Sequence, residues 1–97
     1  HAQLNALKSN LSTIRAAVSM QFSENILTGT TPTYPATISS SMFETAVVPS
    51  DPYADSSAVA TSSTDPLKGA ITVTTGGWVY NPTTGEVRCN HSDRDDY

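Results

Sequence analysis

The stretch LNALKSNLSTIRAAVSMQFSENIL, residues 4–27, decides the fold of this chain. Its large apolar residues recur at alternating steps of three and four, which is the spacing of a single stripe along an α-helix. The stripe consists of Leu4, Leu7, Leu11, Ile14, Val18, Phe22 and Ile26. At about 1.5 Å per residue the stretch forms a rod of roughly 36 Å. The sequence therefore predicts a helix over residues 4–28, around which the rest of the chain folds.

The two ends of this helix differ in their signals. Gly29 followed by Pro32 is typical of a helix C-terminus, so the helix is expected to end there. At the other end the apolar periodicity is already established at Leu4, and no Ser, Thr or Asp N-cap with a charged first turn precedes it. We therefore expect the natural protein to continue upstream of Ala2, and His1 to be a tag or cloning remnant.

Length and composition bound the function. The chain has 97 residues, which is one domain, residues 1–97, with a single modest core. Charged residues are 14%, the formal net charge is -4, and the five Lys and Arg residues are scattered, so nucleic-acid binding is not expected. Ser and Thr supply 27 of the 97 residues, a composition typical of exported and cell-surface proteins. No apolar run reaches the roughly 20 residues of a membrane span.

Residues 29–69 are predicted to contain a short helix and a variable loop. Ser41 and Glu44 have the spacing of a capping box, and the short helix ends before Pro49. Residues 49–66 contain three prolines and no periodicity, which predicts a long surface loop. The aspartates of this loop are Asp51, Asp55 and Asp65. Each lies beside a turn residue, so we interpret them as turn residues rather than as metal ligands.

The last third of the chain has the pattern of strands and tight turns. In residues 70–74, aliphatic residues predicted to face inward alternate with threonines predicted to face outward. Residues 78–80 and 86–90 follow the same alternation, and a proline and a glycine in residues 81–85 predict the turn that joins them. Residues 91–97 form an acidic tail.

The predicted fold class is α+β. A long N-terminal helix packs on a small three-stranded antiparallel sheet, residues 70–90, with a short second helix and a long loop. The predicted core residues are Leu4, Leu7, Leu11, Ile14, Val18, Phe22, Trp78, Val87 and Cys89. Cys89 is the single cysteine, so it forms no disulfide within the chain. Because it shares a strand face with Val87, we predict an inert buried thiol.

The C-terminal stretch GGWVYNPTTGEVRCN, residues 76–90, resembles the same region of type IV pilin-like proteins, in particular the major pseudopilins of type II secretion systems and similar short type IV pilins. A glycine pair, a tryptophan, a tyrosine, a turn and a returning strand stand in the family's order. The long N-terminal helix is the second point of resemblance. The likeness covers both ends of the chain but not residues 49–68.

This resemblance implies a pilin-like fold and a structural subunit of a pseudopilus or pilus. In such proteins an apolar helix half precedes the region that corresponds to this chain, anchors the precursor in the bacterial inner membrane and later forms the filament core. The implied partners are copies of the chain, other pilin-like subunits and the inner-membrane assembly machinery. The globular domain is expected in the periplasm or on the cell surface. The resemblance adds a short basic leader cut by a prepilin peptidase, a methylated mature N-terminus and a glutamate at the fifth mature position.

The acidic tail raises the question of calcium, because major pseudopilins usually carry a C-terminal calcium loop. The candidate ligands in this chain are Asp93, Asp95 and Asp96. Calcium takes six to eight oxygen ligands, so three carboxylates with Asn90 and main-chain carbonyls barely complete a site. We expect a solvated tail and no cofactor, and calcium stays open as the alternative.

A small secreted adhesive or carbohydrate-binding module is the alternative function. Trp78, Tyr80, Tyr34 and Tyr53 could supply an aromatic stacking platform. Trp78 and Tyr80 alternate with Val79, so they share one face of a strand. Exposure of both rings favours the binding module, whereas burial places them in the core.

Catalysis is not expected from this sequence. His91, Asp93 and a serine could be arranged as a triad, but the chain contains no GxSxG, HExxH or CxxC motif and no glycine-rich phosphate loop. His91 also lies among terminal polar residues, where an exposed side chain is expected rather than a catalytic one. The sequence thus predicts assembly rather than chemistry.

Overall fold

The structure is a computed structural model that describes residues 2–29 and 33–97. The expectations for His1 and Pro32 lie outside these residues. In chain order the elements are helix α1, a short 3-10 turn and strands β1, β2 and β3. Their bounds are Ala2–Leu27, Ser40–Met42, Val59–Thr61, Trp78–Tyr80 and Val87–Cys89. One long N-terminal helix packs on a small three-stranded sheet, so the α+β prediction is confirmed at this level.

Helix α1 buries one stripe and exposes the other side, as its apolar periodicity dictates. The fully buried residues of the stripe are Leu7, Leu11, Ile14 and Val18. Gly29 takes a φ of 79° and its amide donates to the Ile26 carbonyl at 3.1 Å, which ends the helix as predicted. The stripe does not extend to Ile26, which is 48% exposed. Each strand has only three residues, so the sheet is too short to cover the end of this long helix.

The sheet is mixed, in the order β1-β2-β3. Strand β1 runs parallel to β2, with Val59 opposite Trp78. Strand β2 runs antiparallel to β3, with Trp78 opposite Cys89. The prediction of a purely antiparallel sheet is therefore wrong, because the third strand comes from the segment that we predicted to be a long loop.

Residues 70–74 form no strand, contrary to prediction. Their main chain bonds to the C-terminal tail instead: the Ile71 amide donates to Asp95 Oδ2 at 3.1 Å, and the Val73 carbonyl accepts from the Ser92 amide at 2.9 Å. Val73 is 44% exposed rather than inward-facing. The β-branched residues still favour an extended backbone here, but the tail supplies its partners.

The predicted capping box at Ser41 and Glu44 is also wrong. The helix at this point is the single 3-10 turn, and it is preceded by Ser39, whose amide donates to Met42 Sδ at 3.4 Å. Glu44 lies beyond the turn and is exposed. Phe43 already has an extended backbone and Ala46 has a φ of 57°, in the left-handed region, so the helix does not continue beyond this turn.

The turn between β2 and β3 has the predicted chemistry. The Gly85 amide donates to the Asn81 carbonyl at 2.8 Å, and Gly85 has a φ of 78°. A Cβ at this position would collide with the Tyr34 ring, which packs directly over the turn. The glycine thus serves both the backbone conformation and the contact with residues that follow α1.

Candidate functional site

The predicted core residues lie where α1 meets the sheet. Trp78, Val87 and Cys89 are buried together with the middle of the α1 stripe, whereas Leu4 and Phe22 are half-buried. The Trp78 indole donates to the Pro49 carbonyl at 2.7 Å. This interface holds the helix in place, so only the opposite side of α1 is available to other molecules.

The aromatic platform of the alternative function does not form. Trp78 and Tyr80 are both 0% exposed, and the Tyr80 hydroxyl donates to the Pro35 carbonyl at 2.6 Å. Burial, with a smaller contribution from Tyr34, raises the pKa of Tyr80 to about 12. Tyr34 stacks on Phe22, with ring centroids 4.5 Å apart. The four aromatic residues therefore offer no shared exposed face.

Tyr53, the last of these aromatic residues, is 38% exposed, and the Arg94 guanidinium lies 4.1 Å from its ring centroid. This cation–π contact joins the loop before β1 to the C-terminal tail. Within residues 2–29 and 33–97, no second ring stacks beside the exposed part of Tyr53 to sandwich a sugar.

Asp51 is a buried carboxylate that the sequence did not reveal. Its Oδ1 accepts from the Tyr53 amide at 2.9 Å, which is the predicted turn chemistry. Its Oδ2 accepts from the Gly77 amide at 3.1 Å and from the Cys89 thiol at 3.4 Å. Asp51 is 0% exposed, so its interpretation as a surface turn residue was incomplete. The local sequence predicts the turn that Asp51 makes. It cannot predict the hydrogen bond to Gly77, which lies 26 residues away in the sequence.

Cys89 is a buried thiol. Burial, followed by the adjacent Asp51 carboxylate, raises the pKa of Cys89 to about 12. Thiolate is the reactive form, so the folded protein holds almost none of it near neutral pH.

We therefore expect Cys89 to resist a thiol-specific disulfide reagent at pH 8 in the folded protein and to react fully in concentrated urea. The thiolate that the reagent releases, followed over time, measures the reaction of Cys89 in the folded protein and in urea. Rapid stoichiometric reaction without denaturant would contradict the buried position of Cys89.

The acidic tail is not uniformly solvated, contrary to the prediction. Asp95 is 4% exposed, and its Oδ2 accepts from the Ile71 amide, whereas Asp93 and Asp96 are exposed. Among residues 2–29 and 33–97, no three His, Cys, Asp or Glu side chains are grouped so that they could share a metal ion. The His91 Nδ1 accepts from the Asp93 amide at 3.1 Å. Calcium binding by the three aspartates stays the untested alternative.

Arg15 fastens the tail and β3 to the helix. Its Nε and Nη2 donate to the Val87 carbonyl at 3.3 and 2.9 Å, and its Nη1 donates to the Tyr97 carbonyl at 3.2 Å. Burial and the nearby Arg88 guanidinium lower the pKa of Arg15. The Lys8 ammonium lies 5.1 Å from the centroid of the Tyr97 ring. These contacts close the outer edge of β3 against α1.

Glu86 lies immediately before β3 and joins it to the segment that follows β1. It accepts from the Leu67 amide at 2.7 Å, from the Lys68 amide at 3.3 Å and from Arg88 Nε at 3.0 Å. Burial pushes the pKa of Glu86 upward, but the Leu67 and Lys68 amides and the Arg88 guanidinium together outweigh it, so the pKa is lowered.

A lowered carboxyl pKa stabilises the fold above the pKa of the unfolded chain, about 4.3 for Glu, and this contribution is lost as the pH falls through the folded value. We expect Glu86→Gln to lose less unfolding free energy than the unmodified protein between about pH 6 and pH 3. Urea denaturation at each pH measures the difference, with the exposed Glu44→Gln as a control. Parallel pH curves for all three proteins would contradict the Glu86 contacts.

The side of α1 that faces away from the sheet is long, exposed and poor in charge. Its exposed residues include Asn5, Ser9, Ser12, Thr13, Ala16, Ser19, Met20 and Ser23. Lys8 and Glu24 are the charged residues among the exposed positions of α1. We refer to this surface as the outer face of α1.

Comparison with models of known protein families finds no match, and searches of curated proteins and of solved structures find none either. In the described part of the chain, no helix combines the length and the apolarity that crossing a membrane requires. A function for this chain therefore has to rest on its residues and their geometry.

Proposed function

We propose that this protein is a structural subunit of a type II secretion pseudopilus or a type IV pilus, and that it acts by assembly rather than catalysis. The proposal rests on the resemblance of residues 76–90 and of α1 to pilin-like proteins. Its partners are then copies of itself, other pilin-like subunits and the inner-membrane machinery that assembles them. The precursor lies in the bacterial inner membrane, and the globular domain lies in the periplasm or on the cell surface. No cofactor is required.

The observation that carries the proposal is the outer face of α1. The helix has 26 residues and is roughly 39 Å long, close to the 41 Å longest dimension of the protein. The buried stripe fixes it to the sheet, whereas the outer face presents mainly small and hydroxyl side chains, together with Asn5 and Met20. Burying an unpaired charge is costly, and this face has few charges to bury. This face therefore suits packing against neighbouring subunits.

The proposal includes an apolar helical segment upstream of Ala2, as in the family that the chain resembles. Such segments pack side by side in the filament core, and α1 continues each of them outward. The sheet and loops then coat the filament, because they lie on the other side of α1.

An adhesive or carbohydrate-binding module is not proposed as a second function. It required Trp78 and Tyr80 to be exposed together, and both are fully buried. Tyr53 alone does not make a stacking platform.

A charge placed on the outer face tests this function. Ala16 is exposed near the middle of α1, so Ala16→Glu should leave the melting temperature of the domain within about 3 °C, since surface substitutions usually change stability by less than about 0.5 kcal/mol. In the full-length protein produced in its native host, the same change buries a carboxylate between subunits. We expect the pelletable filament fraction, measured by immunoblot after shearing, to fall at least tenfold.

Thr83→Glu is the matched control, because Thr83 is exposed on the β2–β3 turn and lies away from α1. We expect this variant to assemble normally. Equal amounts of sheared filament from the two variants would contradict the assignment of the outer face, and the absence of any filament from the unmodified protein would overturn the proposed function.

A further inference from the structure

Strand β1 has a free outer edge. The Trp78 amide donates to the Ala58 carbonyl and the Ser62 amide donates to the Tyr80 carbonyl, both at 2.9 Å. In a parallel ladder the main-chain groups of alternate residues bond to the neighbouring strand, so the amide and carbonyl of Ala60 also point toward β2. The main-chain amides and carbonyls of Val59 and Thr61 consequently point away from β2, and none of the described residues bonds to them.

The two edges of the sheet differ in whether their outward main-chain groups are covered. At β3 the outward Val87 carbonyl is covered by Arg15. No side chain in the described part of the chain covers the outward main-chain groups of β1 in this way, and Ala60 and Thr61 are exposed. Residues 56–64 also contain no charged residue and no proline, which are the features that commonly protect strand edges from pairing. The edge therefore offers two donors and two acceptors to an extended main chain.

We propose that β1 pairs with β1 of a second copy of this chain, antiparallel about a two-fold axis through Ala60, to give a continuous six-stranded sheet. In this register Val59 of each copy faces Thr61 of the other, and each such pair exchanges two hydrogen bonds. All four outward groups of each copy are then used. Ala60 of each copy faces Ala60 of the other in a non-hydrogen-bonded pair. Side chains approach most closely in such a pair, and alanine is small enough for that approach.

Main-chain complementarity and neutrality make a second copy of this chain the occupant that we propose. In this register a charge at residue 60 would meet its own copy, and charges of the same sign at residues 59 and 61 would also face each other. Residues 56–64 avoid this, and the nearest charges are Asp55 and Asp65, five positions from Ala60 in each direction. The pairing is independent of the proposed filament function, because it uses the globular domain alone.

The contact is short, so we expect the domain to be monomeric at micromolar concentration and to pair near millimolar concentration. Each copy carries a net charge of -4, so two copies repel each other. Salt screens such repulsion over a Debye length of about 10 Å at 0.1 M. Sodium chloride should therefore strengthen the association rather than weaken it.

Disulfide trapping tests the register directly. In an antiparallel pair without hydrogen bonds the Cα atoms lie about 4.5 Å apart, within the range that a disulfide accepts. Ala60→Cys should thus oxidise to a covalent dimer at least tenfold faster than Ser57→Cys, measured on non-reducing gels at millimolar protein. Ser57 is equally exposed, but in this register the two copies of residue 57 lie six positions apart, roughly 20 Å. Cys89 is buried in both variants and takes no part.

A second substitution separates pairing from collision. Thr61→Pro removes an outward amide but none of the bonds to β2, so adding it to Ala60→Cys should reduce the oxidation rate to that of Ser57→Cys. Thr61→Val keeps the amide and should leave the rate unchanged. Equal oxidation of Ala60→Cys and Ser57→Cys, or a folded proline variant that oxidises as fast as its valine control, would overturn the proposal.

The unmodified protein gives a reading that does not depend on how the variants fold. In nuclear magnetic resonance spectra recorded on dilution from millimolar concentration, the amide signals of Val59 and Thr61 should shift, whereas that of Ala60 should stay fixed because it remains bonded to β2. Unchanged Val59 and Thr61 signals would overturn the pairing, whatever the outcome of the filament experiments.

Discussion

Ile14→Asp is expected to unfold the domain or to lower its melting temperature by more than about 15 °C, at roughly 4 to 8 °C per kcal/mol for a domain of this size. Ile14 is 0% exposed in the α1 stripe, facing the sheet. The substitution removes about 1.5 to 3 kcal/mol of apolar burial, and it adds the larger cost of a buried carboxylate without a partner. The loss exceeds about 4 kcal/mol, a large part of the 5 to 15 kcal/mol typical of small domains.

Ser12→Asp is the matched control, because Ser12 lies two positions away on the same helix and is exposed. We expect its melting temperature to stay within a few degrees of the unmodified value. Thermal denaturation followed by circular dichroism compares the two variants. Similar melting temperatures for both would show that the stripe does not hold the helix on the sheet.

Asp51→Asn is expected to destabilise the domain by about 2 to 4 kcal/mol, since each buried polar group left without a partner costs about 1 to 3 kcal/mol. The carboxylate accepts three hydrogen bonds in a fully buried position. An amide of the same shape must turn its NH2 group either toward the Gly77 amide and the Cys89 thiol or toward the Tyr53 amide. In both orientations a donor faces a donor.

Asp55→Asn provides the comparison, because Asp55 lies in the same loop but is exposed. Its φ of 50° is in the left-handed region, which asparagine tolerates as well as aspartate. Urea denaturation should place this variant within about 0.5 kcal/mol of the unmodified protein. If Asp51→Asn unfolds at the same urea concentration as Asp55→Asn, the buried carboxylate does not hold the loop to the sheet.

The sequence predicted those parts of the fold that depend on neighbouring residues. The α1 stripe repeats within a few residues, so helix bounds of 4–28 were expected and Ala2–Leu27 is found. The turn at 81–85 was predicted for the same reason, since its glycine and proline act locally. Packing of the helix on a three-stranded sheet followed from the apolar faces of both elements.

Strand pairing could not be predicted in the same way, because the partner of a strand is chosen by the whole fold. The β-branched residues of 70–74 favour an extended backbone, yet Asp95 and Ser92 of the tail take their main-chain bonds. Strand β1 has only three residues, and it reaches its parallel partner through a long connection that includes residues 62–77. Nothing in the local sequence distinguishes it from the loop around it.

The same distinction between local and distant contacts applies to the candidate site. The outer face of α1 follows from the helix pattern alone, whereas the burial of Asp51 and Asp95 depends on amides far away in sequence, those of Gly77 and Ile71. Such acceptors resemble ordinary turn and tail aspartates until the fold is known. The free edge of β1 is likewise invisible without the register of its parallel pairing.

Mass spectrometry of the mature N-terminus, on protein purified from its native cell envelope, tests the proposed function most directly. A filament subunit is expected to carry roughly 25 to 30 mostly apolar residues upstream of Ala2, enough to continue α1 through a membrane thickness at 1.5 Å per residue. We predict that this segment begins with a methylated residue and has glutamate at its fifth position. A mature protein that begins close to Ala2 after an Ala-x-Ala cleavage site would contradict the assignment as a filament subunit.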